Sequence, residues 1–257
     1  MTIRIGTSGF SYEHWRGRYY PPGARGREFA FYASMFETVE LNVTFYRMPS
    51  AATFRGWARE APDGFIFAVK ASRYLTHVKR LHEPRDAVDF LMERAGLLGA
   101  HLGPILLQLP PDMPLAIDRL EETLDAFPAG TRVAVEPRHA SWFVEPVRAL
   151  LTERGAALCW ADRRGPIAPT WRTADWGYLR FHQGRAAPRP CYDERALGSW
   201  AERLCETWGP AADAYVYFNN DRRGCALRDA AVFARLVGEA GLDPVRSLPI
   251  TDAVLAD

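Results

Sequence analysis

The amino-acid sequence predicts an α/β fold, specifically a TIM-like (β/α)8 barrel that forms a single domain over residues 1–257. Three observations support this prediction. The length of 257 residues suits barrels of this kind, which typically have about 250 residues. Short apolar runs alternate with helix-like stretches, as in consecutive βαβ units. Along the strands, one set of alternating side chains is apolar and the other is small or polar.

Eight segments have the strand pattern, and seven have the helix pattern. The predicted strands are 3–6, 38–42, 65–70, 105–109, 132–136, 157–161, 177–182 and 214–219. The predicted helices lie near 28–37, 51–60, 85–98, 116–126, 144–154, 194–207 and 227–240, and 162–176 is predicted to be a loop. Eight units favour a closed barrel over an open sheet. The turn after the first strand, at 6–10, has neither a G-x-G-x-x-G nor a P-loop pattern.

The alternation along each strand predicts which side chains face the helices and which face the barrel axis. Apolar positions such as Val39 and Leu41 are expected to face the helices. The polar positions lie near strand ends, and an isolated buried charge costs several kcal/mol. We therefore expect them to converge at the C-terminal mouth, where active sites of this fold lie. The residues expected to line one pocket there are Glu40, Lys70, Gln108, Glu136, Arg180 and Asn219. The sixth strand breaks this alternation of apolar and polar side chains.

Three charged residues are the candidates for catalysis. Glu40 and Glu136 could act as acid and base if their environments separate their pKa values. The alternative is that each is an ion-pair partner of Lys70, Arg138 or Arg180. Lys70 could act as a base or form a Schiff base, but anion binding or pairing with a glutamate is favoured.

Further residues are candidates for binding the substrate. A cationic group suits a phosphate or carboxylate, and it comprises Arg138, Arg180, His77, His139 and His182. Polar candidates are Ser8, Asn42, Gln108, Asn219 and Asn220. Trp15, Tyr46 and Trp142 could stack on a ring-shaped ligand, although large aromatic residues more often fill a core. The Arg180→Ala substitution is expected to abolish anion binding and leave the fold intact.

Composition limits the possible partners. The formal net charge of +1 lacks the positive excess that nonspecific nucleic-acid binding usually requires. Neither a membrane span nor a signal peptide is expected, and the predicted location is cytoplasmic. The four cysteines form no C-x-x-C pair and are expected to be free thiols. The oligomeric state stays open.

Cofactor requirements also stay open. The possible metal ligands are Glu40, Glu136, His77, His182 and Asp162. There is no H-E-x-x-H motif, so a divalent metal is possible but not favoured, and no residue is assigned to a metal. A G-x-S-x-G elbow is also absent, which argues against a serine nucleophile.

Seven short motifs, in order along the chain, resemble the YecE-like family, also called domain of unknown function 72. They are Gly6-Thr7-Ser8-Gly9 with Tyr12 and Trp15, the octapeptide at 39–46, Lys70 with Thr76-His77, the pentapeptide at 107–111, the octapeptide at 135–142, Arg180-Phe181-His182, and Tyr217-Phe218-Asn219-Asn220. The resemblance spans nearly the whole chain. It implies a TIM-like barrel and does not imply a particular reaction.

The sequence favours an enzyme that acts on a polar anionic small molecule. A hydrolase or lyase with a substrate like a sugar phosphate fits the combination of basic residues, carboxylates and aromatic rings. One alternative is a metal-dependent phosphodiesterase or nuclease-like enzyme that stacks a base on an aromatic ring. Another is a protein that binds a small anion without catalysis. Turnover would distinguish the enzymes from the binding protein.

Overall fold

The computed structural model describes residues 2–17, 19–163, 168–183, 191–209, 212–242 and 244. The strands among these residues are β1 (Ile3–Thr7), β2 (Thr38–Leu41), β3 (Ile66–Lys70), β4 (Leu102–Gln108), β5 (Val133–Glu136), β6 (Ala157–Leu158), β7 (Trp160–Asp162), β8 (Gly177–Phe181) and β9 (Ala214–Phe218). The α-helices are α1 (Glu28–Met35), α2 (Val43–Tyr46), α3 (Ala51–Glu60), α4 (Arg85–Ala95), α5 (Ile117–Ala126), α6 (Glu145–Glu153), α7 (Glu194–Trp208) and α8 (Cys225–Glu239).

The sixth predicted strand is divided in the structure. It forms β6 and β7, which are interrupted at Cys159. The Thr173 hydroxyl accepts a hydrogen bond from the Leu158 amide (2.8 Å) and donates one to the Ala156 carbonyl (2.7 Å). A side chain therefore satisfies one edge of β6 in place of a neighbouring strand. In the predicted loop, 162–163 and 168–176 contain no helix, and 164–167 lie outside the described residues.

The chain divides into two compact units. The first unit comprises residues 1–40, 61–65 and 179–257. Within it, β1 pairs with β9 in parallel from Ile3↔Ala214 to Thr7↔Phe218, and β9 lies next to β8. The Tyr32 hydroxyl accepts from the Thr7 amide (2.9 Å) and donates to the Thr38 carbonyl (2.9 Å). This tyrosine therefore links the last residue of β1 to the first residue of β2.

Aromatic side chains pack the strands of the first unit against its helices. The rings of Phe181 and Phe218 stack with centroids 4.7 Å apart. Both contact Phe233 of α8, and Phe181 also contacts Trp200 of α7. The prediction that the apolar set of side chains faces the helices is confirmed for β8 and β9.

The second unit comprises residues 41–60 and 66–178. It contains a parallel sheet with the order β3-β4-β5-β6, in which Gln108 is the register partner of Glu136. The Phe67 ring of β3 stacks against Trp57 of α3 with centroids 6.3 Å apart. The apolar side of β3 therefore also faces a helix, as predicted, and the opposite side is left for polar groups.

An α/β fold with parallel sheets is confirmed, whereas closure into an eight-stranded barrel and the extent of the domain stay predictions. None of the helices in the described part of the chain is long and apolar enough to cross a membrane.

The expectation of four free thiols is wrong for one pair. Cys191 and Cys225 form a disulfide with Cα atoms 5.0 Å apart, within the usual range of about 4.4–6.8 Å. Cys159 and Cys205 are not part of a disulfide. The two bonded cysteines are separated by 34 positions in sequence. The absence of C-x-x-C could not reveal their proximity, because the fold brings Cys191, three residues before α7, to Cys225 at the start of α8.

Candidate functional site

The predicted site residues form a separate cluster in each unit. The first cluster, in the first unit, contains Ser8, Glu40, Arg180, His182 and Asn219. The second cluster, in the second unit, contains Lys70, His77, Gln108, Glu136 and Arg138. The prediction that all of them line one pocket stays a prediction.

The first cluster is centred on a buried ion pair. Arg180 Nη2 donates to Glu40 Oε1 at 2.7 Å, and both side chains are fully buried. Ser8 Oγ donates to the same carboxylate oxygen at 2.7 Å. Ser8 and Glu40 are also joined by a parallel β-bridge, so strand pairing places both side chains on one face. Charge-assisted hydrogen bonds of this kind hold a carboxylate in one orientation.

His182 and Asn219 form the more exposed layer of this cluster. Asn219 Nδ2 lies 3.0 Å from His182 Nδ1, and Arg180 Nη1 lies 3.5 Å from His182 Nε2. The Asn219 amide nitrogen can only donate, so His182 Nδ1 accepts this hydrogen bond. The contact with Arg180 Nη1 lies at the outer limit of hydrogen-bond distance.

The second cluster contains an arginine held by two side chains on adjacent strands. Arg138 Nε donates to Glu136 Oε1 (3.0 Å), and Arg138 Nη2 donates to Gln108 Oε1 (3.0 Å). The pairing of β4 with β5 aligns these two acceptors side by side. The Glu136 carboxylate is buried, while 25% of the Arg138 side chain is exposed. Arg163 Nη2 donates to the main-chain oxygen of Arg138 at 3.1 Å and brings a further positive charge.

Lys70 lies at the end of β3 and is mostly buried. Its Nζ sits over the Phe45 ring, 4.1 Å from the centroid. This distance is within the range of a cation–π interaction. Thr44 Oγ1 donates to the Lys70 carbonyl at 2.6 Å. Short helix α2 thus supplies both the ring beneath the ammonium group and a hydrogen bond to the end of β3.

His77 lies in a π-helix at Tyr74–Val78, a rare conformation that is frequent at functional sites. Burial, followed by the positive charges of Lys70, Arg73 and Arg138, lowers the pKa of His77 from 6.5 to about 4. Thr76 Oγ1 donates to the Ser72 carbonyl (3.0 Å) and lies 2.9 Å from His77 Nδ1. The hydroxyl has one proton, so His77 Nδ1–H donates to it. Nε2 keeps its lone pair at neutral pH.

Two of the aromatic candidates are buried. Trp15 and Trp142 have no exposed surface. Their indole N–H groups donate to Asp221 Oδ1 (3.0 Å) and to the Met113 carbonyl (2.8 Å), respectively. Their burial agrees with the alternative that large aromatic residues fill the core, and a stacking role for them stays a prediction. Tyr46, in contrast, is 79% exposed.

Two other candidates, His139 and Asn220, have local structural partners. His139 Nδ1 accepts from the Ser141 amide at 3.3 Å and caps the 3-10 helix at Ala140–Trp142. Asn220 is buried and donates to Asp229 Oδ2 at 2.7 Å. Asn42 precedes α2, and its buried Oδ1 has no hydrogen-bond partner among the described residues.

Sequence reasoning missed several participants: Thr44, Phe45, Arg73, Arg163 and Asp229. Thr44 and Phe45 lie inside the motif at 39–46, but nothing in the sequence indicated a helix as short as α2. Arg163 follows the divided sixth strand. In the described part of the chain, no group of three or more His, Cys, Asp or Glu side chains could hold a metal ion.

The fold and the two clusters define an α/β protein of parallel strands with arginine–glutamate pairs at strand ends. The chain belongs to the family described as protein of unknown function DUF72, whose model matches residues 4–252. The resemblance predicted from the sequence motifs is confirmed.

Relatives support this assignment along most of the chain. The UPF0759 protein YunF of Bacillus subtilis (strain 168) is 26% identical over 265 residues, covering 88% of this chain and 93% of YunF. The crystal structure of a DUF72 family protein from Thermotoga maritima MSB8 matches with a TM-score of 0.82 and 29% identity, covering 93% of this chain and 100% of that one. A DUF72 family protein from Enterococcus faecalis V583 matches with a TM-score of 0.78 and 19% identity, covering 92% and 96%. The match to the Enterococcus faecalis protein shows only that the two folds are similar.

Proposed function

We propose that the protein is a hydrolase or lyase that binds a polar, anionic small molecule such as a sugar phosphate at the second cluster. One observation carries this proposal. Arg138 is partly exposed and is held by Glu136 and Gln108, beside further cationic side chains and a neutral His77.

The charges of the second cluster favour an anionic ligand. Lys70, Arg73, Arg138 and Arg163 supply positive charge. Burial and then these charges lower the pKa of His77, and burial and then the charge of Arg138 lower the pKa of Arg163. A bound phosphate or carboxylate would relieve this like-charge repulsion. Arginine also offers the planar donor geometry that suits such groups.

The two glutamates act as positioning residues in this proposal. Glu136 orients Arg138, and Glu40 orients Arg180, because each carboxylate is buried against its guanidinium. Lys70 contacts the anion. A hydrolase or lyase also requires a proton acceptor. His77 Nε2 serves as this acceptor, because it keeps a lone pair at neutral pH. His182 is instead held within the first cluster, where its Nδ1 accepts a hydrogen bond from Asn219 Nδ2.

The finer architecture belongs to the same proposal. We propose that the strands close into the (β/α)8 barrel predicted from the sequence. The strand–helix alternation and the parallel pairing inside each unit support it. Active sites of barrels lie at the C-terminal ends of the strands. Lys70, Gln108 and Glu136 occupy such ends.

A melting-temperature titration with inorganic phosphate at constant ionic strength tests the anion site. A ligand that binds only the folded state raises the Tm by mass action. We expect phosphate to raise the Tm of the wild type and not that of Arg138→Gln. Arg148→Gln is the matched control, since it removes the same charge from α6 at an exposed pair with Glu145. Equal shifts in the wild type and Arg138→Gln, or no shift in either, would contradict the proposal.

Catalysis is tested separately with His77→Gln. Sugar phosphates are incubated with the protein, and products are followed by phosphorus NMR. We expect His77→Gln to keep phosphate binding and to lose turnover by about a hundredfold or more, the usual contribution of a general base. Binding without any turnover by the wild type would instead identify a non-catalytic anion-binding protein.

A further inference from the structure

We infer that the anion bound at the second cluster is attached to a planar aromatic ring, which stacks on Tyr46. The inference rests on the proposed function, because it names the chemical class of the ligand at the same site. It points to aryl monophosphates and nucleotide-like monophosphates rather than to simple sugar phosphates.

The Phe45 ring connects Tyr46 to the charged groups. Lys70 Nζ lies 4.1 Å from its centroid. The rings of His77 and Tyr46 pack edge-on against it, with centroids 4.9 and 5.1 Å away. One buried ring is therefore shared by the ammonium group, the imidazole and the exposed phenol. A ligand phosphate near Lys70 has an aromatic surface within reach of the group attached to it.

Exposed apolar side chains occur on α2 and on the π-helix, the two short helices whose Phe45 and His77 rings are in contact. Val43 and Tyr46 lie three residues apart on α2, which places them on the same side. Tyr74 and Val78 occupy the two ends of the π-helix that contains His77. All four are among the large hydrophobic side chains that the described residues expose. Exposed apolar surface that borders a polar site marks a place where ligands bind.

The aromatic ring and the cations recognise different parts of one ligand. Every aromatic ring has a face that can stack on Tyr46, and stacking of this kind tolerates variation in the ring. The phosphate satisfies Arg138 and Lys70. A sugar phosphate would satisfy only the second requirement and would leave the ring of Tyr46 in water.

The test compares phenyl phosphate with ribose 5-phosphate by calorimetric titration at constant ionic strength. Both are phosphate monoesters of similar size, and only one has an aromatic ring. We expect the wild type to bind phenyl phosphate about tenfold more tightly, in line with a single stacking contact. Tyr46→Ala should remove this preference and leave the affinity for ribose 5-phosphate unchanged. Tyr46→Phe, which keeps the ring, should retain it.

Phe90→Ala is the matched control, because Phe90 is also an exposed ring of the second unit but lies on α4. It should bind both probes like the wild type. Equal affinities of the wild type for the two probes, or an unchanged preference in Tyr46→Ala, would overturn the inference and leave the anion site standing. A wild type that binds neither probe would overturn both the inference and the proposed function.

Discussion

The guanidinium of Arg180 donates a 2.7 Å hydrogen bond to the carboxylate of Glu40, and neither side chain has exposed surface. Placing two charges in the interior removes their hydration, and their mutual attraction only partly offsets that cost. The pair is therefore poor evidence of a net gain in stability. Removing one partner is destabilising, because the other charge then stays buried without an opposite charge.

Arg180→Ala is expected to lower the free energy of unfolding by about 3–5 kcal/mol, the usual cost of breaking a buried ion pair from one side. The sequence-based expectation that this substitution leaves the fold intact is therefore replaced. Urea unfolding at neutral pH measures the change. The double variant Glu40→Gln/Arg180→Met should recover part of the loss, since it removes both charges.

The control for this prediction is an exposed ion pair in the same unit. Arg235 pairs with Glu194 and Glu239 on the surface, and Arg235→Ala should cost no more than about 1 kcal/mol. A similarly small effect of Arg180→Ala would show that water or a rearranged side chain replaces the missing charge.

Gly6 is predicted to be intolerant of any side chain. A Cβ atom built there would lie 2.2 Å from the Thr38 carbonyl oxygen, so β1 and β2 would have to separate. We expect Gly6→Ala to destabilise the protein by about 1–3 kcal/mol, as overpacking does. Gly198→Ala in α7 meets nothing within 4 Å and should stabilise it by up to about 1 kcal/mol through helix propensity. Thermal unfolding of both variants measures the contrast, and a loss of equal size in the two would refute the steric explanation.

Much of the architecture follows from periodicity because burial imposes it locally. The alternation of apolar side chains predicted that Phe67, Phe181 and Phe218 face helices. It arises because each strand must bury one of its faces, and this requirement shows within a few consecutive residues. The helix at 51–60 was predicted with the bounds that the structure gives it. The break in the sixth strand was visible as a change of parity, whereas the hydrogen bonds of the Thr173 hydroxyl to its edge come from a residue outside the strand.

The details of the candidate site depend on contacts between distant residues, which periodicity does not encode. Trp15 and Tyr46 both occur in family motifs, yet one is buried and the other exposed. The low pKa of His77 depends first on its burial and then on the charges of Lys70 and Arg138, which come from other strands and loops. Residue type indicated a cationic site, but only the fold shows which cations are held in place by a carboxylate.

The disulfide between Cys191 and Cys225 predicts a thiol count of two in the denatured, unreduced protein, from Cys159 and Cys205. Reduction should raise the count to four. It should also lower the free energy of unfolding by about 2–4 kcal/mol, because the closed loop spans 34 residues. A thiol-reactive reagent and urea unfolding with and without a dithiol measure both effects. Cys191→Ser/Cys225→Ser should match the reduced protein and be insensitive to the dithiol, whereas four thiols before reduction would contradict the disulfide.

Asp229 is expected to make stability depend on pH. The side chain is fully buried and accepts hydrogen bonds from the Tyr192 amide (2.9 Å), Asn220 Nδ2 (2.7 Å) and Arg228 Nη1 (2.9 Å). Burial raises the pKa of Asp229 from 3.8 to about 6, and the hydrogen bonds only partly oppose this. Between these two pH values the folded protein therefore binds more protons at this site than the unfolded chain does.

The sign of the effect follows from this difference in proton binding. The contribution of Asp229 is fully present below about pH 4 and is lost as the pH rises through about 6. One pKa unit corresponds to about 1.4 kcal/mol, so the wild type should lose about 3 kcal/mol across this window relative to Asp229→Asn, which cannot titrate. Urea unfolding of both proteins at intervals from pH 4 to pH 7 gives the difference. A difference that stays constant, or that grows in favour of the wild type with rising pH, would mean that the three donors hold the carboxylate charged despite its burial.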